Sequence, residues 1–292
     1  MAPPSLPQEL VDSIFEYLHD DIPVLRRCVL VSRSCRAAAQ GHLYHQVILV
    51  LRYTWSPYLR KPYAGAWYTC ASFYQLIRRS PHIPPLVRSF VVHDGLLGND
   101  VDGYHPITKR LFNEKFLPRI FPLLPYPRRI VLANRIVRFG RDSLPSSLKS
   151  SIRDAFRSPH ITSVHLDGLE QVDQGWLLSL FEGCPSLKHL TLTWFNESGR
   201  RSFPLDQKLL VKPINASPAL ESLSFSDEIP FIVGKLFTIQ PLFNISRLRK
   251  LSIYSRFRAD CPIIQKLLDA TQDCLEELTL RTQGSCKTIH YS

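Results

Sequence analysis

A six-residue pattern, apolar at its first, fourth and sixth positions, recurs along this chain and leaves few architectures open. It reads VRSFVV from Val87, ITSVHL from Ile161, LKHLTL from Leu187, LESLSF from Leu220, LRKLSI from Leu248 and LEELTL from Leu275, with a weaker copy, PRRIVL, from Pro127. The end of each copy has the alternation of a half-buried strand. Between copies lie segments with helical spacing: SFYQLIRR (72–79), KSSIRDAF (149–156), GWLLSLFEG (175–183) and CPIIQKLLDAT (261–271). Strand then helix, repeated, implies an α/β fold with a parallel sheet, because strands running the same way need a crossover between them. Copies begin 26 to 40 residues apart, which is the interval of a stacked repeat array. Several are announced by one turn, as in RSPHI, GCPSL and ASPAL, where proline halts the preceding segment. A doubly wound sheet is the competing architecture, but its longer apolar strands and Gly-rich phosphate turn are missing from the sequence.

Alternation assigns the strand faces. In LKHLTLT, Leu187, Leu190 and Leu192 point to the core, and His189, Thr191 and Thr193 point outward. The same register gives the outward triplets Ser163, His165, Asp167; Ser222, Ser224, Ser226; Lys250, Ser252, Tyr254; and Glu277, Thr279, Arg281. His165, Asp167, His189, Thr193, Lys250, Tyr254 and Arg281 are the candidates for binding a substrate on that face. Hydroxyl and β-branched residues also form good solvated sheet, so the face as a whole is the candidate more than any one member.

The N-terminus follows a different rule. LPQELVDSIFEYL (6–18) carries Leu10, Val11, Ile14, Phe15 and Leu18 in one broad helical stripe, with Pro7 suited to a first turn and Glu9 to the positive end of the helix dipole. Two more short helices are expected, over 22–32 and, Ser-capped, over 34–44. Three helices in about forty residues share a thin core. What they leave uncovered of Leu6, Leu10, Ile14 and Leu18 is available to a partner.

LPQELVDSIFEYL followed by VLRRCVLVSRSCRAAAQGHLYHQVIL resembles an F-box, the trihelical module that docks on the Skp-type adaptor of cullin-RING ubiquitin ligases. The resemblance covers 6–49 and rests on Leu6-Pro7, Glu9-Leu10, Ile14, Leu18, Leu25, Cys28, Val31-Ser32-Arg33 and Leu43-Tyr44. It departs at Cys35, where the family usually has Trp. The resemblance implies adaptor contacts by Leu6, Pro7, Leu10, Ile14, Leu18, Leu25 and Val31, and through the adaptor a cullin. SPHI, VRSF, FLPRIFPLLP and CPSLKHLTL look like the divergent leucine-rich-repeat tails of fungal F-box proteins. The expected organisation is therefore an F-box at 1–49, a connecting segment with an aromatic loop and a helix at 50–86, and an irregular leucine-rich-repeat-like solenoid with a curved parallel sheet at 87–292. In that reading the chain presents a protein substrate to a ligase and performs no catalysis itself.

Charge bears on the substrate. Thirty-six Lys and Arg against 25 Asp and Glu give +11, with clusters at Arg78-Arg79, Arg128-Arg129, Arg135-Arg138-Arg141, Arg200-Arg201 and Arg247-Arg249-Lys250. Acidic or phosphorylated segments suit such clusters. Nucleic acid is the competing acidic partner, disfavoured because the basic residues are dispersed and no recognised nucleic-acid motif accompanies them. A scaffold outside any ligase is the other alternative.

Searches for chemistry find little. There is no Gly-x-Ser-x-Gly, and GNDVDG from Gly98 lacks the Lys-Ser/Thr of a phosphate loop. His42 and His45 lack a third metal ligand, so no metal or cofactor is expected. The seven cysteines, at 28, 35, 70, 184, 261, 274 and 286, contain no Cys-x-x-Cys and read as reduced thiols. With no apolar run near the ~20 residues of a membrane span and no signal-peptide pattern, a cytoplasmic or nuclear location is expected. The final RTQGSCKTIHYS reads as neither capping helix nor strand, which leaves the last strand, at 275–280, expected to be frayed or paired with another chain.

Overall fold

The computed structural model of the protein describes residues 7–50, 66–94, 112, 114–134, 144–167, 174–193, 218–226, 243–255, 262–282 and 285–290. They fall in two compact units, Met1–Pro127 and Arg128–Ser292.

The first unit opens with helices α1 (Gln8–Tyr17), α2 (Ile22–Cys28) and α3 (Arg33–His45). Val11, Phe15, Leu25, Ala39 and Leu43 form their shared core, and Leu18, Cys28, Val29, Cys35 and Ala38 pack against it partly buried. Caps fix the boundaries. Asp21 Oδ1 accepts from the Val24 amide at 3.0 Å to start α2. Ser32 Oγ accepts from the Cys35 amide at 3.1 Å to start α3. Ser32, not Ser34, is the cap because its extended backbone can turn the hydroxyl back onto the helix. That requirement ends α2 four residues earlier than its apolar pattern implied. Ser34 instead donates to Gln8 Oε1 and ties α3 to α1.

Helix α3 passes into strand β1 (Gln46–Leu49) with no residue between His45 and Gln46. β1 lies between β2 (Ala66–Tyr68) and β3 (Ser89–Asp94), both parallel to it, with Val47 opposite Ala66 and Phe90. Val47, Ile48 and Leu49 are all fully buried. A parallel strand covered on both faces shows an unbroken apolar run and no alternation. Helix α4 (Cys70–Arg79) starts in a capping box, with the Ser72 amide donating to Thr69 Oγ1 and the Thr69 amide to Ser72 Oγ, each at 3.1 Å. Phe73 of α4 meets Phe90 of β3 at 6.4 Å between ring centroids, and Phe121, just after the single-turn α5 (Leu117–Ile120), meets Phe90 edge-on at 5.3 Å. Residues 46–49 and 66–94 belong to the same compact unit as the three helices. The described part of the expected connecting segment, 50–86, holds β2, α4 and a single 3-10 turn at Pro84–Leu86.

The second unit runs β4 (Arg129–Asn134), α6 (Ser146–Phe156), β5 (Ser163–Asp167), α7 (Gln174–Phe181), β6 (His189–Thr193), β7 (Ser222–Ser226), β8 (Lys250–Ser255), α8 (Pro262–Thr271), β9 (Glu277–Thr282) and β10 (Ser285–His290). From β4 to β9 each strand pairs in parallel with the next in sequence. The fold is α/β. Each strand begins two residues after the first apolar residue of its sequence copy: Leu187, Leu220, Leu248 and Leu275 are buried ahead of the strands they introduce. Val164, Leu190, Leu223, Leu251 and Leu278 stand side by side across five strands, as do Leu166, Leu192, Phe225, Ile253 and Leu280. All but the half-buried Leu280 are closed to solvent, and full burial of such a side chain stabilises by about 1.5–3 kcal/mol. Phe181 of α7 joins them through Phe156 at 6.2 Å and Phe243 at 5.4 Å.

The end of the chain overturns its sequence reading. β10 pairs antiparallel with β9, Ser285 opposite Thr282 and His290 opposite Glu277, so β9 is covered by its own chain. Only Ile289, opposite Leu278, supplies an aliphatic residue in β10. A strand with one aliphatic residue carries no apolar alternation for a hydropathy pattern to register.

Candidate partner-binding faces

Helix α1 has two apolar sides. Val11 and Phe15 enter the three-helix core at 6% and 3% exposure, whereas Leu10, Ile14 and Tyr17 stay 52%, 49% and 90% exposed. Their i, i+4, i+7 spacing makes one outward stripe. Leu30 and Val31, in the turn after α2, are 81% and 72% exposed. Solvated aliphatic and aromatic groups at this density fit a protein interface.

The expected adaptor residues separate accordingly. Leu10, Ile14 and Val31 are exposed apolar groups, and Pro7 is exposed at the helix start. Leu18 is half-buried against the core. Leu25 is fully buried and holds the helices together. Leu6 lies outside the described residues. Tyr17 and Leu30 are exposed apolar groups outside the expected set, and Tyr17 is signalled by its seven-residue spacing from Leu10. Cys35 is half-buried at the core's margin.

On the second unit, the strand faces follow the alternation. His189 is exposed, and Thr191 and Thr193 half-buried, around buried Leu190 and Leu192. Three expected residues come together at the ends of β5 and β6. Thr193 Oγ1 donates to Asp167 Oδ1 at 3.0 Å, and His165 Nε2 lies 3.3 Å from the same hydroxyl. A hydroxyl has one proton, so Thr193 gives it to Asp167 and accepts from His165. Asp167 is 4% exposed, buried instead of open as the triplet pattern implied. Ser226, at the end of β7, is 8% exposed and its Oγ has no hydrogen-bond partner. His189 and Lys250 sit at the opposite ends of their strands. Tyr254 lies beside Ser226, and Arg281 is placed by its backbone opposite Tyr254.

Cross-strand pairing changes the meaning of the basic clusters. Lys188 meets Glu221 at 2.8 Å, Arg249 meets Glu276 at 3.4 Å, and Lys250 meets Glu277 at 3.0 Å. The hydrogen bond from Lys188, reinforced by the nearby charges of Lys188, His189 and Arg249, holds the Glu221 carboxyl below its ordinary pKa. Positions 188, 221, 249 and 276 thus alternate in sign along neighbouring strands, and the cluster 247–250 spends two of its cations on glutamates. Arg88 lies over the Tyr126 ring at 5.5 Å and donates to the Tyr126 carbonyl at 3.2 Å. The Arg135-Arg138-Arg141 and Arg200-Arg201 clusters and GNDVDG lie outside the described residues.

Among the described residues, no group of His, Cys, Asp or Glu could hold a metal ion, and no helix is long and apolar enough to cross a membrane. No family model matches this chain, and no curated protein matches it significantly.

Proposed function

We propose that this protein is the substrate-receptor subunit of a Skp-cullin-F-box ubiquitin ligase: its three N-terminal helices form an F-box that docks on a Skp-type adaptor, and its repeats form a leucine-rich-repeat-like solenoid that holds a protein substrate. The observation that carries this reading is the division of α1, with Val11 and Phe15 buried and Leu10, Ile14 and Tyr17 left uncovered. A helix that has satisfied its own core and still presents an apolar stripe is built for a second protein. The mechanism is tethering: a bound substrate experiences a high effective concentration of the ligase's ubiquitin-loaded enzyme, with no acid, base or nucleophile supplied by this chain. Cytoplasm or nucleus is the compartment in which such a complex operates.

The test is co-purification of the full chain with a Skp-type adaptor beside Leu10→Asp. Capture of the wild type and loss in the variant, both folded by circular dichroism, is the expected result; equal behaviour of the two would remove the α1 stripe from the interface.

A further inference from the structure

The strands of the second unit open on a row of side chains that point away from the core. Arg129 of β4 stands opposite Ser163 of β5, and Ser163 opposite His189 of β6, while the residues that follow them, Ile130, Val164 and Leu190, are buried. At ~4.8 Å per strand the backbones of Arg129 and His189 are about 10 Å apart. Both residues are exposed and the shorter Ser163 between them is half-buried, so two long side chains flank a notch that is open to solvent and floored by a hydroxyl. Among the described residues, no hydrogen bond or ion pair engages the side chains of these three. Charge singles out this end of the row. From β6 to β9 the ions at the strand starts cancel, Lys188 with Glu221, Arg249 with Glu276 and Lys250 with Glu277. At β4 the pairing stops, because the neighbour that β5 sets opposite Arg129 is a serine and not a glutamate. Glu221, whose charge interacts with His189, is already hydrogen-bonded to Lys188 at 2.8 Å.

We propose that the notch between Arg129 and His189 binds the carboxylate of a glutamate or aspartate on a protein segment lying across the sheet. A carboxylate offers about four lone-pair sites on two oxygens; the guanidinium fork takes two of them in parallel, and the Ser163 hydroxyl and a His189 ring N–H are donors for the others. Arg129 is the one permanent charge among the three residues, which matches a monoanion. A phosphate monoester, close to dianionic at neutral pH, would keep a surplus of negative charge there. The sheet already uses this chemistry on itself, since the cations farther along the row each hold a glutamate, and the notch is the place where the carboxylate has to come from another chain. The inference rests on the proposed receptor role only in taking the occupant to be part of a recruited protein.

The probe is the tripeptide Gly-Glu-Gly with blocked termini, titrated into the full-length protein and followed by nitrogen–proton correlation spectroscopy, beside the same peptide carrying glutamine or phosphoserine at its centre. The expected result is perturbation of the Arg129, Ser163 and His189 amides by the glutamate peptide, with the glutamine peptide at least about tenfold weaker, since hydrogen bonds to charged groups are the stronger class. Arg129→Gln weakens glutamate binding about tenfold or more. Arg249→Gln removes the same charge from a side chain that Glu276 already engages, and leaves the affinity within about twofold because exposed charges at a distance are screened. Both arginines are exposed, so neither variant disturbs the core. Equal affinity for the glutamate and glutamine peptides, perturbations centred elsewhere, equal weakening by the two arginine variants, or a clear preference for the phosphoserine peptide would overturn the assignment. Loss of adaptor capture would leave this titration unaffected, so the two proposals fail separately.

Discussion

Ile14 and Phe15 are neighbours in sequence with opposite duties, and exchanging each tests the division of α1 directly. Ile14 is about half exposed and Phe15 is 3% exposed. Ile14→Asp forfeits the half of a side chain that packs on the protein itself, costing the fold about 1 kcal/mol. Against an apolar partner it forfeits the other half and forces a carboxylate out of water, a loss of more than about 3 kcal/mol, or beyond ~100-fold in Kd. Phe15→Ala instead empties the centre of a thin core at about 3–5 kcal/mol, and weakens adaptor binding only in proportion to the fraction of helices unfolded. Urea denaturation followed by circular dichroism reads the first quantity, and calorimetric titration with a recombinant Skp-type adaptor reads the second. Wild-type affinity in Ile14→Asp, or an unmoved unfolding midpoint in Phe15→Ala, would refute the two-sided reading of the helix.

Burial raises the Cys184 thiol pKa to about 12, so it stays protonated at pH 8; alkylation of the native protein, mapped by mass spectrometry, is expected to modify Cys28, Cys35 and Cys274 well before Cys184, and equal labelling would contradict its burial. Gly183 has φ of +93° at the end of α7, with only the Arg157 side chain near where a Cβ would stand; Gly183→Ala should destabilise by about 1–2 kcal/mol through backbone strain alone, measured as a lowered urea midpoint. Glu221 has a depressed pKa in the fold, so its pairing stabilises above the unfolded-state carboxyl pKa and is lost as pH falls through the folded value. Glu221→Gln should lower stability at pH 7 by less than about 1 kcal/mol, the pair being exposed, and leave it unchanged near pH 2.

The sequence made the strands of the second unit legible because each carries two core residues two apart behind a buried leading residue. What escaped has physical reasons. β1 is buried on both faces and so shows no alternation, and β10 has one aliphatic residue and so no apolar pattern. The cap at Ser32 shortened α2 where apolar spacing continued through Val31. Of the apolar residues of the first three helices, periodicity shows that Leu10, Ile14, Val31 and Leu25 are apolar but not that the first three stay exposed while Leu25 is covered by its neighbours. The pairing of Arg249 and Lys250 with Glu276 and Glu277 depends on the strand register. So does the meeting of Asp167 with Thr193, 26 residues apart along the chain.

The direct junction of His45 to Gln46 imposes a phase relation on the protein's evolution. A residue added within α3 would turn everything beyond it by about 100° around the helix axis, and one added within β1 would exchange the strand's two faces. Either change would misalign Val47, Ile48 and Leu49 with the Ala66–Tyr68 and Ser89–Val92 strands they pair with. Length variation among descendants of this chain should therefore be excluded from 33–49, so that the angle between α3 and the first strands is inherited as a fixed quantity while side chains on either side of the junction diverge.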